Sequence, residues 1–290
     1  MRLCGRILDL QRPQLVAILN LTPDSFSDGG QLPTLDAVRR RAATLVADGA
    51  DILDLGGEST RPGAATVSED EEAGRVLPAI AALTAAFDVP IAVDTRRAGV
   101  AREAVALGAA MINDVSGFGD PHMAQVVAAS GAAWVLVHMP HAVGAMAWSE
   151  RSAAMPAAVS AAVARIAADL GAAATRAEAA GVARGQLAID PGLGFGKSIA
   201  QNLALLLHQA PLAKLQLPLY VGPSRKSFLG ALSGTAVDDR LGATAAAVTA
   251  AVLAGAAFVR VHDVRVMRQV VDVAAAIRAA RHPRHNRPSP

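Results

Sequence analysis

The 290-residue sequence predicts an α/β fold, a (β/α)8 TIM barrel with a short N-terminal hairpin or cap. Three observations lead there. Short apolar runs alternate eight times with longer amphipathic segments, the pattern of parallel strands covered by helices. The length suits one such barrel, commonly about 250 residues, with modest additions. A polar residue also stands at or just past the end of nearly every apolar run, where the carboxyl rim of a barrel builds its sites.

In chain order, residues 1–10 carry Arg2, Arg6 and Asp9 and lack the continuous apolar stretch of a signal peptide. They are expected to form the hairpin or cap below the barrel. Strands are expected at 15–19, 52–55, 91–93, around Met111 and Ile112, and at 134–137, 187–189, 219–221 and 258–261. Residues 35–47, 69–86 and 241–253 have the length and composition of helices. The Ala-rich stretch 153–180 has the apolar content of a membrane span. Arg165, Asp169, Arg176 and Glu178 instead mark the wet side of a soluble helix. One domain is expected over 1–280, with 281–290 a frayed tail.

Hydrophobic residues make up 52% of the chain and charged ones 18%, enough to bury a large core and far from a disordered composition. The formal charge is +2, and Arg278, Arg281, Arg284 and Arg287 form only a loose basic set. Nucleic acid normally needs a wider basic face. Cys4 is the only cysteine, so no intrachain disulfide can form; a small buried or half-buried side chain is expected there, not a nucleophile.

The rim residues are Asn20, Asp54, Asp94, Asn113, His138, Asp190 and Arg260, with Gly222 at the remaining strand end. Any one could merely cap the next helix, but capping alone explains seven of them poorly. The first rim loop reads Asn20-Leu21-Thr22-Pro23-Asp24-Ser25-Phe26-Ser27-Asp28-Gly29-Gly30, and the second Asp54-Leu55-Gly56-Gly57-Glu58-Ser59-Thr60-Arg61-Pro62-Gly63. Gly and Pro punctuate both. Their hydroxyls, amide and arginine offer donors and ligands for a phosphorylated substrate.

The sixth strand leads into Asp190-Pro191-Gly192-Leu193-Gly194-Phe195-Gly196-Lys197-Ser198. Its spacing does not match the P-loop of NTPases and suits a tight turn that lets Asp190 face a ligand. The last two strands end in Gly222-Pro223-Ser224-Arg225-Lys226-Ser227-Phe228-Leu229-Gly230 and Arg260-Val261-His262-Asp263-Val264. Barrels frequently bind phosphate there, and Lys226, Arg260 and His262 supply positive charge.

In their order from Asn20 to Val264, these strings resemble those of the dihydropteroate synthases. The resemblance implies a cytoplasmic transferase of folate biosynthesis. It would join p-aminobenzoate to 6-hydroxymethyl-7,8-dihydropterin pyrophosphate, giving 7,8-dihydropteroate and pyrophosphate. The catalytic set it implies is Asn20, Thr60, Arg61, Lys226, Arg260 and His262. Asp190, Asp94, Asn113 and Lys226 would bind the pterin edges, Arg260 its face, and Met139, Phe195 and Gly222 would add contacts. Phe26, Thr60, Pro62, Phe195 and Ser227 would frame p-aminobenzoate, as would Arg61, while Asn20, Arg61, Arg260 and His262 would hold pyrophosphate.

Mg²⁺ is implied as the cofactor, with Asn20 its side-chain ligand, and Asp54 would orient the assembly from below or in the loops. The first two rim loops are expected to close on pyrophosphate. The resemblance further implies sulfonamide binding, a homodimer through helices such as 241–253, small-molecule partners, and no nucleic acid or membrane. It weakens after the fifth strand, where His138-Met139-Pro140-His141-Ala142-Val143-Gly144-Ala145-Met146 replaces a short polar turn. The two histidines there lack a nearby acidic or cysteine partner for a metal, so a rim loop beside the pterin is expected.

Two alternatives share the barrel. A pterin-dependent methyltransferase domain would not need the first loop or Ser59-Thr60-Arg61-Pro62-Gly63. A non-catalytic pterin-binding paralogue should have lost Asn20, Arg61, Lys226 or Arg260, all present here.

Overall fold

The computed structural model describes residues 1–22, 34–59, 66–140, 156–207 and 209–281. An antiparallel hairpin, β1 (Arg2–Leu3) and β2 (Arg6–Ile7), opens the chain. Its two connecting residues, Cys4 and Gly5, have φ of 44° and 83°, as tight two-residue hairpin turns demand. Cys4 is exposed there, against the expectation of burial. The turn needs its backbone, and the Cys4 N–H donates to Gly131 O at 2.9 Å.

Eight parallel strands follow: β3 (Gln14–Asn20), β4 (Ile52–Gly56), β5 (Ile91–Asp94), β6 (Met111–Asp114), β7 (Ala133–Val137), β8 (Leu187–Asp190), β9 (Tyr220–Val221) and β10 (Phe258–Val261). They lie in the order β8-β7-β6-β5-β4-β3-β10-β9. A bridge between Ile189 and Leu219 joins the two outer strands, and the Ile189 N–H donates to Pro218 O at 3.0 Å. The sheet thus closes into the predicted barrel.

Around it run α1 (Leu35–Ala47), α2 (Glu69–Thr84), α3 (Ala98–Ala106), α4 (Met123–Ser130), α5 (Pro156–Ala179), α6 (Ile199–Leu207), α7 (Ala210–Ala213), α8 (Ser227–Ser233), α9 (Leu241–Ala254) and α10 (Val264–Arg281). Thr34 and Ser68 cap α1 and α2 by accepting from Ala37 N and Glu71 N, and Glu69, Asp70, Glu71 and Glu72 fill the first turn of α2, where carboxylates favour the helix dipole. Helix α2 ends two residues before the expected 86, and α9 runs one past 253. Within α5, Ala158–Ala179 could cross a membrane by length and composition alone. In this fold Val163, Ile166, Leu170, Ala173 and Ala177 are buried in the helix–barrel core, and Arg165 stays in water.

Alternation along the strands separates two cores. Leu15, Ala17 and Leu19, Leu53 and Leu55, Trp134 and Leu136, and Val259 and Val261 face the helices. Val16, Ile52, Ala92, Met111, Ala133, Val135, Ala188, Tyr220 and Phe258 fill the barrel, with Leu3 of the hairpin among them. Two residues beyond Ile52, Ala92, Met111, Ala188, Tyr220 and Phe258 stand Asp54, Asp94, Asn113, Asp190, Gly222 and Arg260. Strand parity therefore stacks a polar layer directly on the apolar interior.

Candidate active site

Arg260 is the centre of that layer. Its Nε donates to Asp54 Oδ2, and its Nη2 donates to Asp94 Oδ2 at 2.7 Å. Asn113 Nδ2 donates to the same Asp54 oxygen at 3.2 Å. Asp54 is fully buried at the middle of β4, which corrects its expected place at the strand's end. It orients the layer from below, inside the sheet. Asp54 Oδ1 and Asn113 Oδ1 are buried and without a hydrogen-bond partner. Buried acceptors left in this state favour a ligand that donates.

Burial opposes the charge on Arg260, but Asp54 and Asp94 outweigh it and raise its pKa. Burial pushes Asp94 upward against the pull of Arg260. It pushes Asp190 up to about 6, with the Gly192 N–H, Lys226, Lys197 and Arg260 restraining the rise. Three carboxylates and three cations thus share a small, poorly hydrated volume, where their interactions are strong.

The loop after β8 folds over two lysines. Asp190 Oδ1 accepts from Gly192 N at 2.7 Å. Lys197 Nζ donates to Gly192 O at 2.9 Å, to Phe195 O at 3.2 Å and, across to the end of β7, to His138 O at 3.2 Å. A Cβ at Gly192, whose φ is 69°, would collide with the His138 carbonyl. One at Gly194 would come within 2.9 Å of the Lys226 stem. With that stem seated, Lys226 Nζ lies 3.7 Å from the Phe195 ring centre, a cation–π contact.

The loops after β9 and β10 are tied together. Ser224 Oγ lies 2.9 Å from His262 Nδ1 and accepts from His262 N. Arg225 grips Asp263 with Nε at 3.1 Å and Nη2 at 2.7 Å. His262 and Lys226 are thereby set on a braced rim. Ser227 begins α8, and Gly222 lies beside the Arg260 stem. Asn20 ends β3, between β10 and β4, its Oδ1 being 3.6 Å from where a Gly56 Cβ would stand, the same distance as Asp94 Cβ.

Phe26, Thr60, Arg61 and Pro62 lie outside the described residues, as do the segments 23–33, 60–65, 141–155 and 282–290. The ends of the second loop are nonetheless fixed. Glu58 accepts from Arg96 and Arg97 and from Val67 N, while Arg97 also donates to Glu72 and Val67 O. His138 does not join the mouth. Val137 faces the barrel, so the next residue turns outward, and His138 Nε2 lies 3.4 Å from Asp169 on α5. Met139 and His138 line a cavity of about 410 Å³ together with Val137, Lys197, Ser116, Arg165 and Arg176.

Sequence reasoning did not single out Lys197, Glu58, Arg97, Ser224, Arg225 or Asp263 as site-forming residues. Each acts through loop contacts far apart in the chain. The one available signal for five of them was their place inside the strings GGES, GFGK, SRK and RVHD, and Arg97 lies outside these strings, three residues past Asp94.

Residues 16–262 match the family described as pterin binding enzyme. The dihydropteroate synthase of Escherichia coli K12 is 40% identical over 278 residues, 96% of either chain. A Xanthomonas albilineans dihydropteroate synthase structure with 4-aminobenzoic acid matches with a TM-score of 0.86 at 42% identity, covering 96% of this chain and 98% of that one. Another from that organism, in complex with 7,8-dihydropteroate, matches with a TM-score of 0.82 at 40% identity, covering 96% and 99%.

Proposed function

The chain belongs to the dihydropteroate synthase family of pterin-binding enzymes, and we propose that its barrel mouth is where this transferase of folate biosynthesis condenses its two substrates. 6-Hydroxymethyl-7,8-dihydropterin pyrophosphate and p-aminobenzoate give 7,8-dihydropteroate and pyrophosphate. The observation that carries the reading is the convergence of Asp94, Asn113, Asp190, Lys226 and Arg260 on one polar layer above an apolar barrel interior.

The pterin amino and ring N–H groups donate to Asp190, an acceptor-only group when ionised. Asn113 and Asp94 complete that edge, Lys226 donates to the acceptors on the other edge, and the planar Arg260 guanidinium covers the ring face. Met139, Phe195 and Gly222 belong to the same proposal as pterin contacts, and Phe26, Thr60, Pro62, Phe195 and Ser227 as p-aminobenzoate contacts. Asn20, Arg61, Arg260 and His262 hold the pyrophosphate.

The amine lone pair attacks the exocyclic methylene carbon, forming the C–N bond as the C–O bond breaks. The bonding pair leaves on pyrophosphate, and the amine proton passes to water. Positive charge grows at the methylene and negative charge on the leaving group. The fixed charge on Arg260, with hydrogen bonding from His262, stabilises the latter without a protein nucleophile.

Among the described residues no group of three or more His, Cys, Asp or Glu could cage a metal. Mg²⁺ fits in another way, since it keeps several waters and takes phosphate oxygens with one or two protein oxygens. Asn20 offers such an oxygen beside Gly56. When bound, the ion supplies charge neutralisation to the departing pyrophosphate.

Leu203 and Leu207 of α6 and Leu241 of α9 are exposed large apolar side chains, which supports a homodimer through the late helices. A cytoplasmic location, with small molecules rather than nucleic acid or membrane as partners, completes the proposal; the formal charge of +2 supports only the part that concerns nucleic acid. Incubation with both substrates and Mg²⁺ tests the function. Pyrophosphate release should need p-aminobenzoate as well as the pterin. Release without p-aminobenzoate at the full rate would mean hydrolysis instead, and pterin binding without turnover would mean a non-catalytic paralogue.

A further inference from the structure

Lys197 stands apart from the groups that face the substrates. Its side chain is buried at 3% exposure, and all three ammonium contacts above are to backbone carbonyls, none to a carboxylate. An ammonium has three donors, so these contacts use all of them. Two of the carbonyls belong to the β8 loop and the third to the end of β7.

Each tie leads to a pterin-facing group. Gly192, whose carbonyl accepts from Lys197, also donates its N–H to Asp190. The Phe195 carbonyl belongs to the residue whose ring carries Lys226. The His138 carbonyl belongs to the residue whose N–H donates to Asp190 O at 2.8 Å. One buried ammonium therefore sits at the hub of the backbone that places Asp190 on one pterin edge and Lys226 on the other.

Holding a charge there is unfavourable in itself. Burial pushes the Lys197 ammonium down to about 7, with Asp190 opposing the fall and Lys226 adding to it. A residue needed only to fill space could be apolar and avoid that cost.

We propose that Lys197 is a positioning residue for pterin recognition, stapling the β7 and β8 rim loops so that Asp190 and Lys226 address opposite edges of one ring. The inference rests on the pterin reading of the mouth. It concerns the geometry of the pterin subsite and not the p-aminobenzoate subsite.

The test is Lys197→Met in the full chain, which keeps the stem and removes the charge and donors. The KM for pterin pyrophosphate should rise about tenfold or more, the scale of one lost charge-assisted hydrogen bond. The KM for p-aminobenzoate, measured at saturating pterin pyrophosphate, should stay within twofold. A purely structural role would lower the folded fraction and the melting temperature while leaving both KM values of the folded enzyme alone. That outcome, or an equal rise in both, overturns the proposal.

Should the variant not accumulate folded, ¹⁵Nζ-lysine NMR of the parent enzyme decides. The Lys197 ammonium signal should shift on addition of pterin pyrophosphate and not of p-aminobenzoate alone; an unmoved signal with bound pterin pyrophosphate overturns the proposal. If the parent enzyme neither binds nor turns over pterin pyrophosphate, the functional reading itself has failed.

Discussion

Arg260 Nη2 donates to Asp94 Oδ2 at 2.7 Å across the barrel mouth, joining the last barrel strand to the third. The same guanidinium donates to Asp54, so one cation neutralises two buried carboxylates. Removing it leaves both uncompensated. Arg260→Ala should lose roughly 3–5 kcal/mol of stability at neutral pH. The loss should shrink at pH 5. Without Arg260 the folded-state pKa of Asp94, already raised by burial, climbs further, so its ionisation costs stability as pH rises and protonation at low pH relieves it. Urea denaturation of parent and variant at pH 5 and pH 8 checks this, and an equal loss at both pH values would contradict it.

Asp190 trades stability for recognition. With its carboxyl raised to about 6 by burial, the stabilising effect of its protonated form is complete below the ordinary carboxylate range and is lost as pH rises through about 6. At pH 7.5 Asp190→Asn should therefore be at least as stable as the parent, by up to about 3 kcal/mol. Its affinity for pterin pyrophosphate should fall by about 10- to 100-fold. Calorimetric melting and titration on the same samples give both quantities. Parent-like turnover by the variant would remove Asp190 from the pterin site.

The ionised form of Asp190 also sets the acid limb of activity. The parent kcat/KM for pterin pyrophosphate should fall below pH 6 with an apparent pKa near the value of about 6 for Asp190. A profile flat down to pH 5 would assign the acceptor role elsewhere.

Mg²⁺ should be needed for turnover at Asn20. Chelation with EDTA should stop the reaction and excess Mg²⁺ restore it, while Asn20→Ala should raise the half-saturating Mg²⁺ concentration by about 10- to 100-fold, the range seen when groups supporting a metal are removed. Unchanged Mg²⁺ dependence in the variant would take Asn20 out of the coordination shell.

A sulfonamide should compete with p-aminobenzoate and not with pterin pyrophosphate, because it shares the aniline end of the former. Initial-rate inhibition patterns against each substrate separate the cases. Competition against the pterin would mean that the two subsites have been assigned in reverse.

The barrel was legible because eight apolar runs were long enough to register as strands, and their starts and ends agree with the structure to within a residue or two. Asp54 and His138 were read less well for one shared reason. A polar residue near the end of an apolar run marks the end of a strand only when the face it occupies is left out of account. Counting in twos from Ile52 puts Asp54 inside the barrel, and counting from Val135 and Val137 turns His138 out toward α5. Lys197 was legible only as a member of the string GFGK, and its role was not. Its three carbonyl partners are set by the path of a glycine-rich loop, and no side-chain spacing encodes that path.

The most direct measurement is the stoichiometry of the complete reaction. Purified chain incubated with pterin pyrophosphate, p-aminobenzoate and Mg²⁺ should form dihydropteroate and release pyrophosphate one for one, with neither product when either substrate is left out. Tight pterin binding with no dihydropteroate formed would contradict the central claim and leave a binding protein on a barrel.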